Sequence, residues 1–259
     1  MDNNYKKTIL CIANERLPYK RKPKYDNEYF LNMFIHVLDD VTSYKALGRI
    51  FNYTSKYHYK YINQVFNKWT KLNIFKDAND ICVNKYISKN INCHTTLETY
   101  IDTTNINNKY GRELINYGSN KKKKICKLSV ISDKNISLQI NLFNGNVHDS
   151  KTTEIEINNL VNKTSYRKIN ICGDKGYINN ELKNKLVDKN INLITPYRKN
   201  QLNKNTTYEK KILKNRYHVE HMNNIFKKHS RIAERKDHKI NTFMSFIYIA
   251  SIKQIHKYI

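Results

Sequence analysis

Between Leu97 and Pro196 two kinds of apolar run follow one another, and their order limits the architectures open to the chain. "LETYIDTTNI", "KICKLSVIS" and "ISLQINLF" are short and rich in Ile, Leu, Val and Phe, and they read as strands. The last two are joined by a turn at Asp133 to Asn135. The pattern then predicts a helix from Thr152 to Val161, a strand at Ile169 to Cys172, a helix from Glu181 to Leu186, and a strand "INLIT" stopped by Pro196. Strands in a row, then strands alternating with helices, require a sheet of mixed direction covered by helices, so the expected class is α/β.

Two carboxylates fall at the ends of these runs. In "KINICGDKGYINNELKNKL" Asp174 stands where a strand gives way to a turn, and the Leu97 to Ile101 strand is expected to end at Asp102. Reactive groups of α/β sheets collect at that edge, although Asp and Gly are also ordinary turn formers. If the two strands are neighbours, the carboxylates lie side by side, and a shared hard cation relieves their repulsion. A third acid lies in "NRYHVEHMNNIFKK", where Arg216, Glu220 and Lys227 are four and seven residues apart and so share one helical face. Alone, that segment reads as a salt-bridged helix surface.

The N-terminal part has a different texture. Residues 1–28 are polar and basic, with "LPYKRKPKYDN" holding two of the three prolines, and read as an extended arm whose Lys20 to Lys24 cluster suits phosphate or solvent. Residues 29–90 read as a helical module: Phe30, Met33, Phe34, Val37 and Leu38 form one stripe, a second helix covers Tyr44 to Phe51, and a third runs from Tyr57 to Leu72 with Tyr61, Val65, Phe66 and Trp69 on one side. A short helix, a turn and a longer helix bearing Lys56, His58, Tyr59 and Lys60 near its start suit a helix-turn-helix on DNA. The chain carries 47 Lys and Arg against 22 Asp and Glu, a formal charge of +25 spread along its length, which points to a polyanion and first of all to nucleic acid. From Tyr208 onward the chain reads as helical, closing on Phe243, Phe246, Ile247, Ala250 and Ile252 as a packed face.

The order Asp102, then "GDKGY" with Asp174, then Arg216, Glu220 and Lys227 resembles insertion-sequence transposases of the DDE class, in the branch marked by a Y-R-E-K signature. "NLFNGNVHDS" is similar to that family's Gly-Asn-x-His-Asp-Ser turn, "RIAERKDHKINTFMSFIYIAS" to its closing helices, and "INQVFNKWTKLNIF" to its N-terminal module. Leu213 stands where the signature has Tyr. The resemblance implies a ribonuclease-H-like catalytic domain over residues 91–259, in which Asp102, Asp174 and Glu220 hold two Mg²⁺ ions, with Mn²⁺ able to substitute. It further implies an endonuclease and strand transferase acting on transposon ends and target double-stranded DNA, as a dimer on that DNA. Arg216, Lys227 and Lys175 would then contact phosphate, as would Lys56 and Lys60 in the helical module, with the Lys121 to Lys124 run a further candidate.

The alternative is a domesticated, catalytically idle DNA-binding protein. Three converging acids inside a DNA-binding surface repel phosphate, which favours the enzyme. "HVEH" lacks the His-Glu-x-x-His order of a zinc hydrolase, "GDKG" lacks the Gly-Lys-Ser/Thr ending of a nucleotide-binding loop, and His148 with Asp149 reads as a turn supporting the site. The five cysteines show no Cys-x-x-Cys spacing, so reduced, mostly buried thiols are expected. The longest greasy run, Phe243 to Ile252, is short of a membrane span, and the expected location is inside the cell with DNA.

Overall fold

The apolar runs between Leu97 and Ile194 pair into one sheet of mixed direction. The computed structural model describes residues 4–19, 23–40, 43–51, 58–90, 95–117, 123–163, 168–198 and 204–259. In chain order come α1 (Asn4–Arg16), α2 (Asn27–Asp39), α3 (Tyr44–Ile50), α4 (His58–Lys71) and α5 (Ile74–Asn90). Strands β1 (Leu97–Asn108), β2 (Asn116–Tyr117), β3 (Lys124–Ser132) and β4 (Ser137–Asn144) follow, then α6 (Asp149–Val161), β5 (Ile169–Cys172), α7 (Asn180–Val187) and β6 (Ile191–Ile194). The remainder is α8 (Thr207–Lys214), α9 (Tyr217–Lys228), α10 (Ser230–Ala233), β7 (Glu234–Arg235) and α11 (Ile240–Ile255).

The chain divides into two units. One holds Tyr86–Asn107 and Leu114–Ile225; the other holds Met1–Lys85, Asn108–Glu113 and Phe226–Ile259.

The first unit contains the sheet. β1 pairs antiparallel with β3, and β3 antiparallel with β4 and the short β2, while β1, β5 and β6 run parallel to one another. The main strands lie in the order β4, β3, β1, β5, β6. Asp133 holds the β3 to β4 turn by accepting from Asn135 N at 2.7 Å and Ile136 N at 2.8 Å, and the buried Tyr86 hydroxyl donates to it at 2.6 Å. Thr153 and Glu156 of α6 are fully buried. Burial pushes the Glu156 carboxyl up to about 8; Ser129 and Asn141 oppose that push, and Asp149 adds to it.

The second unit is helical. Phe66 of α4 stacks on Phe246 of α11 with ring centroids 4.5 Å apart, and Phe34 of α2 meets Phe66 at 4.8 Å and Trp69 at 5.4 Å, edge-on. Polar ties line the same seam: Thr70 Oγ1 lies 3.0 Å from Ser245 Oγ, and Thr242 Oγ1 donates to Asn67 Oδ1 at 3.1 Å. Arg235 is fully buried, and its guanidinium donates to the carbonyls of Glu113 at 2.6 Å, Asp237 at 3.0 Å and His238 at 3.0 Å. A Cβ at Gly111 would sit 2.5 Å from Arg235 Nε, so glycine makes room for this clamp.

Four expectations change. The proposed extended arm contains α1, whose Ile9, Ile12 and Ala13 are buried; one short apolar run, Ile9 to Ala13, was outweighed by the polar composition of residues 1–28. On α4 the buried stripe is Ile62, Phe66 and Trp69, while Tyr61, at the margin of that face, is exposed. β1 runs on to Asn108 instead of ending at Asp102, since β3 continues to pair with its polar second half. The helical tail is interrupted at 234–239, where β7 and the Arg235 clamp intervene. Cys82, Cys126 and Cys172 are buried thiols, and Cys11 is exposed.

Phe246→Ala should destabilise the helical unit by about 3–5 kcal/mol. Hydrogen exchange should show α4 and α11 amides losing protection while those of β1 and β3 keep theirs. Glu156 ordinarily titrates at 4.5, so between there and about 8 the folded chain keeps a proton that the unfolded chain releases, and stability falls as pH rises. Glu156→Gln should therefore raise the melting temperature over wild type by more at pH 8 than at pH 5.

Candidate active site

The parallel register places the two aspartates. Leu97 lies beside Ile169 and Tyr100 beside Cys172, so the same offset carried two residues further sets Asp102 beside Asp174. β5 has ended by then, at Cys172, while β1 continues. Asp102 thus lies within its own strand, at the level where its parallel neighbour turns away, which is the carboxyl edge of the parallel strands.

Asp174 is held by the turn it starts. In extended conformation it caps a single 3-10 turn, Lys175–Tyr177, and its Oδ1 accepts from Gly176 N at 2.7 Å. Gly173 and Gly176 serve space and not an unusual backbone, since neither has a positive φ. A Cβ at Gly173 would lie 2.8 Å from the buried Tyr177 ring, and one at Gly176 would lie 2.9 Å from Asp174 Oδ1. That second position is also 3.7 Å from Asp149 Oδ2, so the Asp149 and Asp174 carboxylates border the same turn.

Glu220 arrives from α9 and reaches Asp102 through an arginine. Arg216 Nη1 is 3.6 Å from Asp102 Oδ1, and its Nη2 donates to Glu220 Oε1. Asn223 Nδ2 donates to Asp102 Oδ2 at 2.9 Å. Burial pushes the Asp102 carboxyl up to about 6, with the negative charges of Asp174 and Glu220 adding to it, while the Arg216 guanidinium and the Asn223 amide pull it back. As placed, no three Asp, Glu, His or Cys side chains among the described residues close into a metal-holding group.

The other expected residues are distributed around this edge or away from it. Lys175 is exposed on the turn directly after Asp174, and Lys227 is half-buried on α9, seven residues beyond Glu220. Lys60 is exposed in the first turn of α4, in the helical unit. Lys56, Lys121 and Lys122 lie outside the described residues. Leu213 is half-buried on α8. His218 packs against aromatic rings, 4.2 Å from Tyr217 and 5.5 Å from Tyr100 between centroids.

Sequence reasoning missed Asn223 and Lys127. Asn223 follows Glu220 by three residues and so shares its helical face, a signal that was available. Lys127 interrupts the apolar run of β3; its Nζ lies 2.8 Å from Asp149 Oδ1 and 2.8 Å from the Val147 carbonyl, fixing the turn before α6. His148 caps α6, accepting from Ser150 N at 3.3 Å.

Residues 122–240 match the family of the transposase DDE domain, a span that includes Asp174, Arg216, Glu220 and Lys227 and begins after Asp102. No curated protein matches the chain. Among solved structures, a chain of the simian T-cell lymphotropic virus intasome in complex with PP2A regulatory subunit B56 gamma is 12% identical, with 61% of this chain and 48% of that one covered and a TM-score of 0.39. A pre-cleavage Mos1 transpososome is 12% identical over 92% of this chain and 77% of that one, with a TM-score of 0.36. The piggyBac transposase synaptic complex with hairpin DNA is 12% identical over 77% of this chain and 49% of that one, with a TM-score of 0.42. The chain thus spans about half the length of the intasome and piggyBac chains it matches.

Arg216→Ala should move the Asp102 titration upward from about 6, because the guanidinium is the largest influence opposing its burial. Carboxyl-carbon NMR across pH 4 to 9 would measure this.

Proposed function

We propose that this chain, which carries a transposase DDE domain over residues 122–240, is an insertion-sequence DNA transposase that cuts DNA and joins strands with a divalent metal. The observation that supports the reading is the register of β1 and β5, paired as far as Tyr100 and Cys172 with Asp102 and Asp174 each two residues further, together with Glu220 tied to Asp102 through Arg216.

The donor set suits a hard cation. Its three acids offer only oxygen ligands, and the raised Asp102 together with the guanidinium between Asp102 and Glu220 marks a place where positive charge is favoured. Asp102, Asp174 and Glu220 would hold Mg²⁺, two ions in the family pattern, or Mn²⁺ in its place. When bound, such ions lower the pKa of an attacking water or 3′-hydroxyl and stabilise the leaving oxygen at the phosphate.

The protein groups position the DNA. Arg216 presents a planar fork of donors that can move from the carboxylates to a phosphate, and Asn223 keeps Asp102 oriented when it does. Lys175 and Lys227 stand near enough along the chain to the acids to take neighbouring phosphates, while Lys56 and Lys60 belong with the helical module, where duplex recognition is expected. The charge of +25 supports a polyanionic substrate. Synapsis of two ends calls for a dimer on DNA, acting inside the cell. No described helix is long and apolar enough to cross a membrane.

The second reading, an idle DNA-binding protein, draws on the same Arg216: a guanidinium that stayed between Asp102 and Glu220 would keep metal out. The two part in one experiment, end-labelled cleavage of DNA carrying the gene's own flanking sequence. Wild type should nick at a defined position with Mg²⁺ and not with EDTA. Asp102→Asn, Asp174→Asn and Glu220→Gln should each lose at least about a hundredfold in rate while retaining DNA binding. Binding without cleavage in Mg²⁺ and Mn²⁺ alike would establish the idle protein.

A further inference from the structure

Asn223 has one more polar atom than Asp102 uses. Its Nδ2 donates to Asp102 Oδ2 at 2.9 Å, while its Oδ1 is buried and meets no donor among the described residues. The residue is 4% exposed, one helical turn beyond Glu220 and beside the buried Val219 and Met222 of α9. An acceptor shielded from solvent and left without a donor is costly, and such an atom marks a place for a small hydroxylic molecule. We infer that Asn223 Oδ1 accepts a hydrogen bond from the water that attacks the scissile phosphate, and so orients that water beside Asp102.

The direction of the amide follows from its partner. An ionised carboxylate only accepts, so the amino end of the Asn223 amide faces Asp102 and its carbonyl end is left for another donor. Arg216 lies 3.6 Å from Asp102 Oδ1, the other oxygen, so the guanidinium can swing to a phosphate without releasing the amide. Asp102 then holds Asn223, and Asn223 holds the water. Donor and acceptor belong to one planar group, so fixing the first end fixes the second.

A neutral acceptor is the chemistry this role requires. Arginine only donates, so it would occupy the lone pair with which water attacks, while Asp174 and Glu220 carry charge and suit a cation. An amide carbonyl takes one O–H of the water and leaves the oxygen lone pair free, as a water-orienting amide does in other phosphoryl-transfer sites. In the step itself the water oxygen bonds to phosphorus and gives up a proton to solvent. The bridging oxygen leaves with its bonding pair and takes a proton from solvent. Asn223 neither gains nor loses one.

This inference rests on the reading that the chain cuts DNA, and the test separates the two. The full chain would nick DNA carrying the gene's own flanking sequence in Mg²⁺ with glycerol added, so that an alcohol competes with water for the same phosphate. A label on the phosphate-bearing product resolves a free phosphate from a glyceryl ester. Asn223→Ala should nick about a hundredfold more slowly, with a glyceryl share severalfold above wild type's, because water loses the contact that orients it. Asn223→Asp keeps an acceptor at that position and should keep the wild-type share, although its added charge slows the reaction. A residue that served only to orient Asp102 would slow attack by water and by glycerol alike, so a glyceryl share unchanged in Asn223→Ala would overturn the inference while cleavage stands. Anisotropy in EDTA should find both variants binding DNA as wild type does; weaker binding would make Asn223 a DNA contact and overturn the inference as well. A wild-type chain that binds DNA and never nicks it would overturn both readings.

Discussion

The ladder between β1 and β5 is short, and the site depends on it. Four residue pairs, from Leu97 beside Ile169 to Tyr100 beside Cys172, fix an offset that brings Asp102 level with Asp174. A slip of one residue would turn every side chain of β5 to the opposite face, and a slip of two would leave Asp102 facing Cys172 or Gly176. Burial resists both. All four residues of β5 are buried, and Thr99 Oγ1 donates to the Asn170 carbonyl at 3.1 Å across the ladder. The sheet core thus does for the aspartates what their mutual repulsion opposes.

That repulsion is settled locally by Arg216 and Asn223, both contributed by the segment that also brings Glu220. Helix α9 and the residue just before it therefore supply an acid, its counter-charge and an orienting amide to a carboxylate that burial holds up at about 6. Burial and mutual repulsion make such a concentration of acid costly unless positive charge shares it. Arg216 is suited to both situations, since its delocalised, permanently charged fork accommodates a carboxylate or a phosphate with the same geometry.

The sheet was legible because period-two and continuous apolar runs survive translation into strands with little ambiguity, as in β3, β4 and β5. Asp174 was legible for the same reason: a buried strand, two glycines and a helix leave few places for it. Asp102 was expected to end its strand, but β1 passes through it on polar residues that pairing with β3 holds extended. α1 was hidden by its lysines, and α5 had no sequence expectation at all, its apolar residues being dispersed around a helix that also buries Asn79. Asn223 and Lys127 carry no motif; each acts through a neighbour that only the fold supplies.

The helical unit is assembled from three separated stretches, and its central stack joins Phe66 to Phe246. A ribosome delivers these rings far apart in time. By the time residue 225 emerges, every strand of the central sheet from β1 to β6 is available to fold, whereas α2 and α4 still lack the helix against which they pack. The sheet can therefore mature first, and α2 and α4 complete their packing only after α11 has been made. A nascent chain of this design completes its helical unit last, when Asp102, Asp174 and Glu220 have already been made.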